Sequence, residues 1–130
     1  MQDIQRAKDL PNPTLALGVV GAIPGDIQRL AERILTYRVF PDTEDRMNLS
    51  IQDISGGLLL VPQFTLTADT RKGTRASFTK GADPEKAAAY FDSLVAACAE
   101  RLDIVETGRF GANMQVSLVN DGPVTFWLET

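Results

Sequence analysis

The chain has no histidine and one cysteine, Cys98. Without histidine there is no Ser-His-Asp or Cys-His relay and no His-containing zinc site. With one thiol there is neither a thiolate zinc site nor an intrachain disulfide, and this usage fits a reducing, cytoplasmic setting. No apolar run approaches the length that crosses a bilayer, so no membrane partner is expected. The opening residues Met1-Gln2-Asp3-Ile4-Gln5-Arg6 lack an apolar signal core. Repeats and low-complexity tracts are absent. An enzyme made from this chain works through backbone groups, hydroxyls, amides or its substrate's own functional groups.

What is present is a globular composition of 130 residues, 44% hydrophobic and 23% charged, which predicts one domain over 1–130. The net charge of -4 argues against nonspecific coating of nucleic acid, and no DNA partner is expected. A local basic site is still allowed. Cys98 follows Phe91, Leu94 and Val95 and precedes Leu102 on the apolar face of a helix, so it reads as core filler.

Residues 15–23 read as a strand and Pro24-Gly25 as a turn. Asp26 is a good cap for a helix running to about Arg38, with Ile27, Leu30, Ala31, Ile34 and Leu35 at helical spacing. Residues 41–53 read as a loop whose Asp42, Glu44 and Asp45 are solvated surface. Residues 58–61 form a buried strand that Pro62 interrupts before residues 63–66. After a polar connection over 69–83, Asp83-Pro84-Glu85 starts a helix to about Leu102. A short strand at 104–107, a turn at 108–111 and two strands, 114–119 and 124–128, close the chain. This predicts a mixed α/β single domain with mainly antiparallel sheets and two main helices on one sheet face.

Three places carry candidate chemistry. The turn Asn120-Asp121-Gly122-Pro123-Val124-Thr125 joins the last two strands. Pro123 has no N–H and Gly122 tolerates angles closed to other residues, so the step is either a rigid backbone feature shown at a strand edge or a plain hairpin turn. Residues 70–80, TRKGTRASFTK, hold Arg71, Lys72, Arg75 and Lys80 with no acid; they form an anion site or a solvated loop. Phe78 either stacks a base or anchors that loop. Gln63 and Thr65 share a face if the segment is a strand, with Phe64 pointing away, and Gln115 and Ser117 repeat that pattern. Amides and hydroxyls without a titratable partner suit recognition rather than proton transfer.

Several longer stretches then identify a resemblance: Arg38-Val39-Phe40-Pro41-Asp42, Arg46-Met47-Asn48, Gln63-Phe64-Thr65-Leu66, ADTRKG at 68–73 and TGRFGANMQVSLVNDGPVT at 107–125. From about residue 34 to 128 the chain resembles the bacterial D-aminoacyl-tRNA deacylases, dimeric enzymes that hydrolyse D-amino acids from mischarged tRNA. The resemblance implies a homodimer acting on tRNA charged with a D-amino acid, without metal or organic cofactor. It implies a cis Gly122-Pro123 peptide that reaches into the partner's pocket and rejects L-amino acids by backbone alone. Gln63, Phe64 and Thr65 would line the opposite wall, with the Phe64 amide at the developing oxyanion. The terminal ribose 2′-hydroxyl would help activate water. Thr65 would position rather than attack, because no base adjoins it. Pro62, Arg71, Lys72, Arg75, Met114, Asn120, Val124 and Thr125 complete the implied pocket and tRNA contacts.

The chain departs from the family pattern in three ways. Pro62 stands where the family has serine, as in the related deacylases that clear L-alanine, although residues 120–125 are of the D-specific kind. Leu49 and Ala76 stand where Arg and Pro are usual. The segment before Asp26 is about one strand shorter, with Ile4-Gln5-Arg6 matching the family's opening strand. Two other readings therefore stay open: a non-catalytic relative that binds tRNA or an aminoacyl group, and a deacylase for L-alanyl or glycyl esters.

Overall fold

The computed structural model describes residues 15–21, 26–79, 83–121 and 124–130. The expected strand near Ile4, the Pro24-Gly25 turn, Lys80 and the Gly122-Pro123 step lie outside the described residues. In chain order the elements are β1 (Leu15–Val20), α1 (Ile27–Thr36), β2 (Phe40–Pro41), β3 (Met47–Leu49), β4 (Gly57–Pro62), a 3-10 turn (Phe64–Thr67), α2 (Pro84–Ala99) and β5 (Val105–Thr107). This is the mixed α/β architecture with two helices that the sequence predicts.

The larger sheet has the order β1-β4-β5, and both of its pairings are parallel. Antiparallel pairing, expected to dominate, is confined among the described residues to the β2–β3 hairpin and an Asp69–Ser77 bridge. The reason is connectivity. Parallel neighbours need a crossover, and α1 and α2 lie within the two crossovers.

Both helices start where local chemistry says they should. The Asp26 carboxylate accepts from the Arg29 N–H at 3.0 Å, and the Asp83 carboxylate from the Lys86 N–H at 3.0 Å. Removing such a cap costs roughly 1 kcal/mol. Ala31 and Leu35 of α1 join Phe91, Leu94, Ala97 and Cys98 of α2 in one buried cluster with Leu58 and Leu60 of β4. Leu58 and Leu60 are two apart, hence on one face of the strand, and both helices cover that face. Burial pushes the Cys98 thiol up to about 11, so it is filler rather than nucleophile.

The hairpin was not expected in residues 41–53. Its turn is folded by Asp42, whose carboxylate accepts from the Glu44 and Arg46 N–H groups at 2.9 and 3.0 Å and from the Asn48 amide at 3.3 Å. The Arg46 N–H does most to hold the Asp42 pKa below its ordinary value. Asp42 therefore organises a turn instead of merely facing solvent.

Residues 63–66, for which the sequence leaves a strand only conditional, enter a 3-10 turn over Phe64–Thr67. Pro62 belongs to β4 as its last, buried residue, and the next residues coil instead of continuing the strand. The Leu66 N–H reaches the Gln63 carbonyl at 3.3 Å and the Ala68 N–H the Thr65 carbonyl at 3.2 Å. At the C-terminus, residues 114–119 and described residues 124–128 form no strand. Strand propensity gives no ladder without a partner edge. The tail instead lies along α1: Tyr37 and Phe126 ring centroids are 5.3 Å apart, and Arg33 donates to the Glu129 carbonyl at 2.8 Å.

Candidate functional site

Parallel strands that end together leave a crevice beyond their carboxyl ends, the usual ligand position in open α/β sheets. Here β1 ends at Val20 and β4 at Pro62, and a cleft of about 50 Å³ opens beside them. Gly21 follows β1 into its wall, Gln63, Phe64 and Thr67 enter from the 3-10 turn, and Ile27 and Leu30 come from α1. Ala87, Tyr90, Phe91 and Leu94 of α2 and Phe110 close the apolar side.

The turn is held by close contacts. The Gln63 N–H donates to the Val20 carbonyl at 2.7 Å, tying the start of the turn to the end of β1. The Thr67 hydroxyl donates to the Phe64 carbonyl at 2.8 Å. A Cβ on Gly21 would lie 2.8 Å from Leu66 Cβ and 3.3 Å from Thr67 Cγ2. Position 21 must therefore be glycine for the turn to sit this close.

Within the turn the Gln63 side-chain amide donates to the Thr65 hydroxyl oxygen at 2.6 Å. The shared face expected of a strand does not apply here, because the segment is a 3-10 turn, and it is this turn that brings the two side chains together. The N–H groups of Phe64 and Thr65 make no backbone hydrogen bond among the described residues, as befits the first positions of a helical turn. The cleft thus offers amide donors, a hydroxyl and aromatic walls. Among the described residues no cluster of His, Cys, Asp or Glu could hold a metal ion.

The other sequence-predicted residues fall in different places. Gln63 and Phe64 line the cleft, and Thr65 is exposed beside them. Pro62 is not part of the lining; its ring packs toward Gly108, where a Cβ would meet Pro62 Cδ at 3.2 Å and the Met114 sulfur at 3.0 Å. Met114 accepts from the Arg109 N–H at 3.4 Å. Asn120 and Thr125 are exposed and Val124 half-buried, and none lines the cleft. Gly122 and Pro123 lie outside the described residues.

The basic residues Arg71, Lys72 and Arg75 are exposed on one loop. The Asp69–Ser77 bridge pins its ends through backbone hydrogen bonds of 2.7 and 3.0 Å. The run is not wholly free of acid influence. Asp69, just before it, pairs with Arg71 at 2.6 Å and raises the pKa of that guanidinium.

Sequence reasoning missed Gly21, Tyr90 and Phe110 as lining residues. The spacing of Ala87, Phe91 and Leu94 marks the buried stripe of α2. Nothing local shows that the end of this stripe meets the 3-10 turn.

The family profile described as D-Tyr-tRNA(Tyr) deacylase matches residues 17–129. The chain belongs to this family. It is 65% identical over 102 residues to the D-aminoacyl-tRNA deacylase of Alkalilimnicola ehrlichii, covering 78% of this chain and 68% of that protein. The Methylococcus capsulatus protein of that name is 60% identical over 117 residues, covering 88% of this chain and 76% of the relative. Among solved structures, one described as a c-Myc DNA unwinding element binding protein is similar with a TM-score of 0.79 at 32% identity, covering 86% of this chain and 79% of that one. A probable eukaryotic D-amino acid tRNA deacylase shares the fold, with a TM-score of 0.64 at 14% identity over 75% of each chain. The turn and all of the cleft's lining residues but Thr130 lie inside the segment that the deacylase profile matches. No described helix is long and apolar enough to cross a membrane.

Proposed function

We propose that this member of the deacylase family hydrolyses the ester of D-aminoacyl-tRNA, releasing a free D-amino acid and tRNA. The observation that carries the reading is the match to curated deacylases at 60–65% identity across most of the chain; Gln63 and Phe64 line one cleft and Thr65 lies beside it. The enzyme class is hydrolase acting on ester bonds, and the place of action is the cytoplasm, where charged tRNA is used.

Water attacks the ester carbonyl carbon, the carbonyl oxygen becomes the oxyanion, and the C–O bond to the ribose breaks to give a hydroxyl and a carboxylic acid. The Phe64 N–H, which has no backbone acceptor among the described residues, stabilises the oxyanion, in the role of a preorganised donor. Thr65 and Gln63 hold the ester in place. The terminal 2′-hydroxyl of the tRNA assists the water, since the chain has no histidine to do so.

A cleft of about 50 Å³ is small against the roughly 300–1,000 Å³ of ordinary ligand sites, which supports a second copy completing the wall. In that homodimer the Gly122-Pro123 step of one copy enters the cleft of the other and excludes the L-configured side chain by backbone contact. Val116, Leu118, Val119, Phe126 and Trp127 are exposed apolar residues of the same C-terminal segment, and they supply the surface such a partner would cover. Asn120, Val124 and Thr125 flank the step, and Met114 steadies Arg109. Arg71, Lys72 and Arg75 meet tRNA phosphates.

Release of D-tyrosine from D-tyrosyl-tRNA by the purified chain tests the reading. Gly122→Ala adds a Cβ where backbone must approach the substrate, and turnover should vanish while circular dichroism stays unchanged. Wild-type rates in that variant would contradict the proposed site.

A further inference from the structure

The rings of Phe64 and Phe78 are in contact, centroids 5.2 Å apart and planes at 53°. Both are largely exposed, Phe64 at 58% and Phe78 at 43%. An aromatic pair that serves only as a core plug would be covered. Phe64 also lines the cleft, so the pair extends from the reaction site outward. Phe78 follows Ser77 directly, and the Asp69–Ser77 bridge fixes it at the base of the loop that carries Lys72 and Arg75. Those two cations make no ion pair with another described residue. Cleft, exposed aromatic step and cationic loop thus follow one another along the surface.

From this order we infer that Phe78, braced by Phe64, is a stacking site for an unpaired nucleobase of the tRNA 3′ tail, upstream of the nucleotide that bears the ester. The inference rests on the deacylase reading and extends it from the ester to the strand that delivers it. Single-stranded RNA is held by aromatic stacking together with backbone phosphate contacts, without need of base-edge hydrogen bonds. A stacked base beside the cleft would leave its phosphate on the side of Lys72 and Arg75. The terminal adenosine and the amino acid would then enter the cleft.

The test compares two ligand lengths, so that catalysis and stacking are read separately. D-tyrosyl esters of adenosine and of a trinucleotide ending in that adenosine are assayed with wild type, Phe78→Leu and Phe78→Tyr. Leucine keeps the apolar contact with Phe64 but presents no π-face. The expected result is a KM for the trinucleotide ester raised about tenfold in Phe78→Leu, in keeping with the loss of one stacked base. Phe78→Tyr should match wild type, and all three should hydrolyse the adenosine ester equally. An unchanged trinucleotide KM, or equal losses on both esters, overturns the inference.

If wild type turns over neither ester, the deacylase reading fails, and binding of the fluorescently labelled uncharged trinucleotide decides. Weaker binding by Phe78→Leu, again about tenfold, upholds the stacking site, and equal binding removes it.

Discussion

The Gln63 side-chain amide donates to the Thr65 hydroxyl oxygen at 2.6 Å, so the partner of this hydroxyl within the turn is a donor and not a base. A serine- or threonine-type nucleophile needs a neighbour that takes its proton, and an amide N–H cannot. The pair instead holds the hydroxyl oxygen at the cleft edge, which suits the proposed positioning role.

Thr65→Ser keeps that hydroxyl and should retain most of kcat/KM. Thr65→Val and Gln63→Leu should each lose about tenfold, the scale of one neutral hydrogen bond. Combining them should cost little more than either alone, because both remove one unit. Quenched-flow mass spectrometry should find no aminoacyl group on the protein; an adduct on Thr65 would overturn the positioning role.

Gly21 is where the end of β1 touches the turn. A Cβ there would stand 2.8 Å from Leu66 Cβ, closer than real packing allows. Gly21→Ala should shift the turn, costing about 1–3 kcal/mol of stability and displacing the Phe64 amide. The expected outcome is a lower melting temperature together with a fall in kcat larger than any rise in KM. A variant with wild-type kcat would show that the turn's position is not critical.

Lys72 and Arg75 are exposed cations on a loop pinned at both ends. Reversing both to Glu should raise KM for charged tRNA and flatten its salt dependence, since fewer counterions are released on binding. Turnover of an aminoacyl-adenosine should hardly change. Equal losses on both substrates would move these residues into the reaction cleft.

Much of the helical framework was legible because its signals are local. Asp26 and Asp83 cap the helices predicted from them, and the apolar spacing in each marks the buried side. Cys98 likewise sits in the core its pattern indicated. The β2–β3 hairpin was hidden because Asp42 makes it through side-chain contacts that look, in sequence, like a charged loop. Pro62 marks the end of the buried strand, as its missing N–H suggests, but the Phe-Thr-Leu-Thr that follows has strand composition and gives no sign of coiling into a 3-10 turn. The cleft residues Gly21, Tyr90 and Phe110 come from segments far apart in sequence. Their meeting depends on parallel strand pairing, which no local pattern encodes. The resemblance singles out residues 63–65 in the sequence, and the structure adds the hydrogen bond from the Gln63 amide to the Thr65 hydroxyl, which is in keeping with the proposed positioning role.

Side-by-side deacylation of D-tyrosyl-, L-tyrosyl- and L-alanyl-tRNA by the purified chain separates the readings of this molecule. Turnover of the D-ester alone is expected, because the proposed Gly122-Pro123 backbone contact at the α-carbon would discriminate by configuration. Hydrolysis of L-alanyl-tRNA at a comparable rate, or of no ester at all, would contradict a D-specific deacylase.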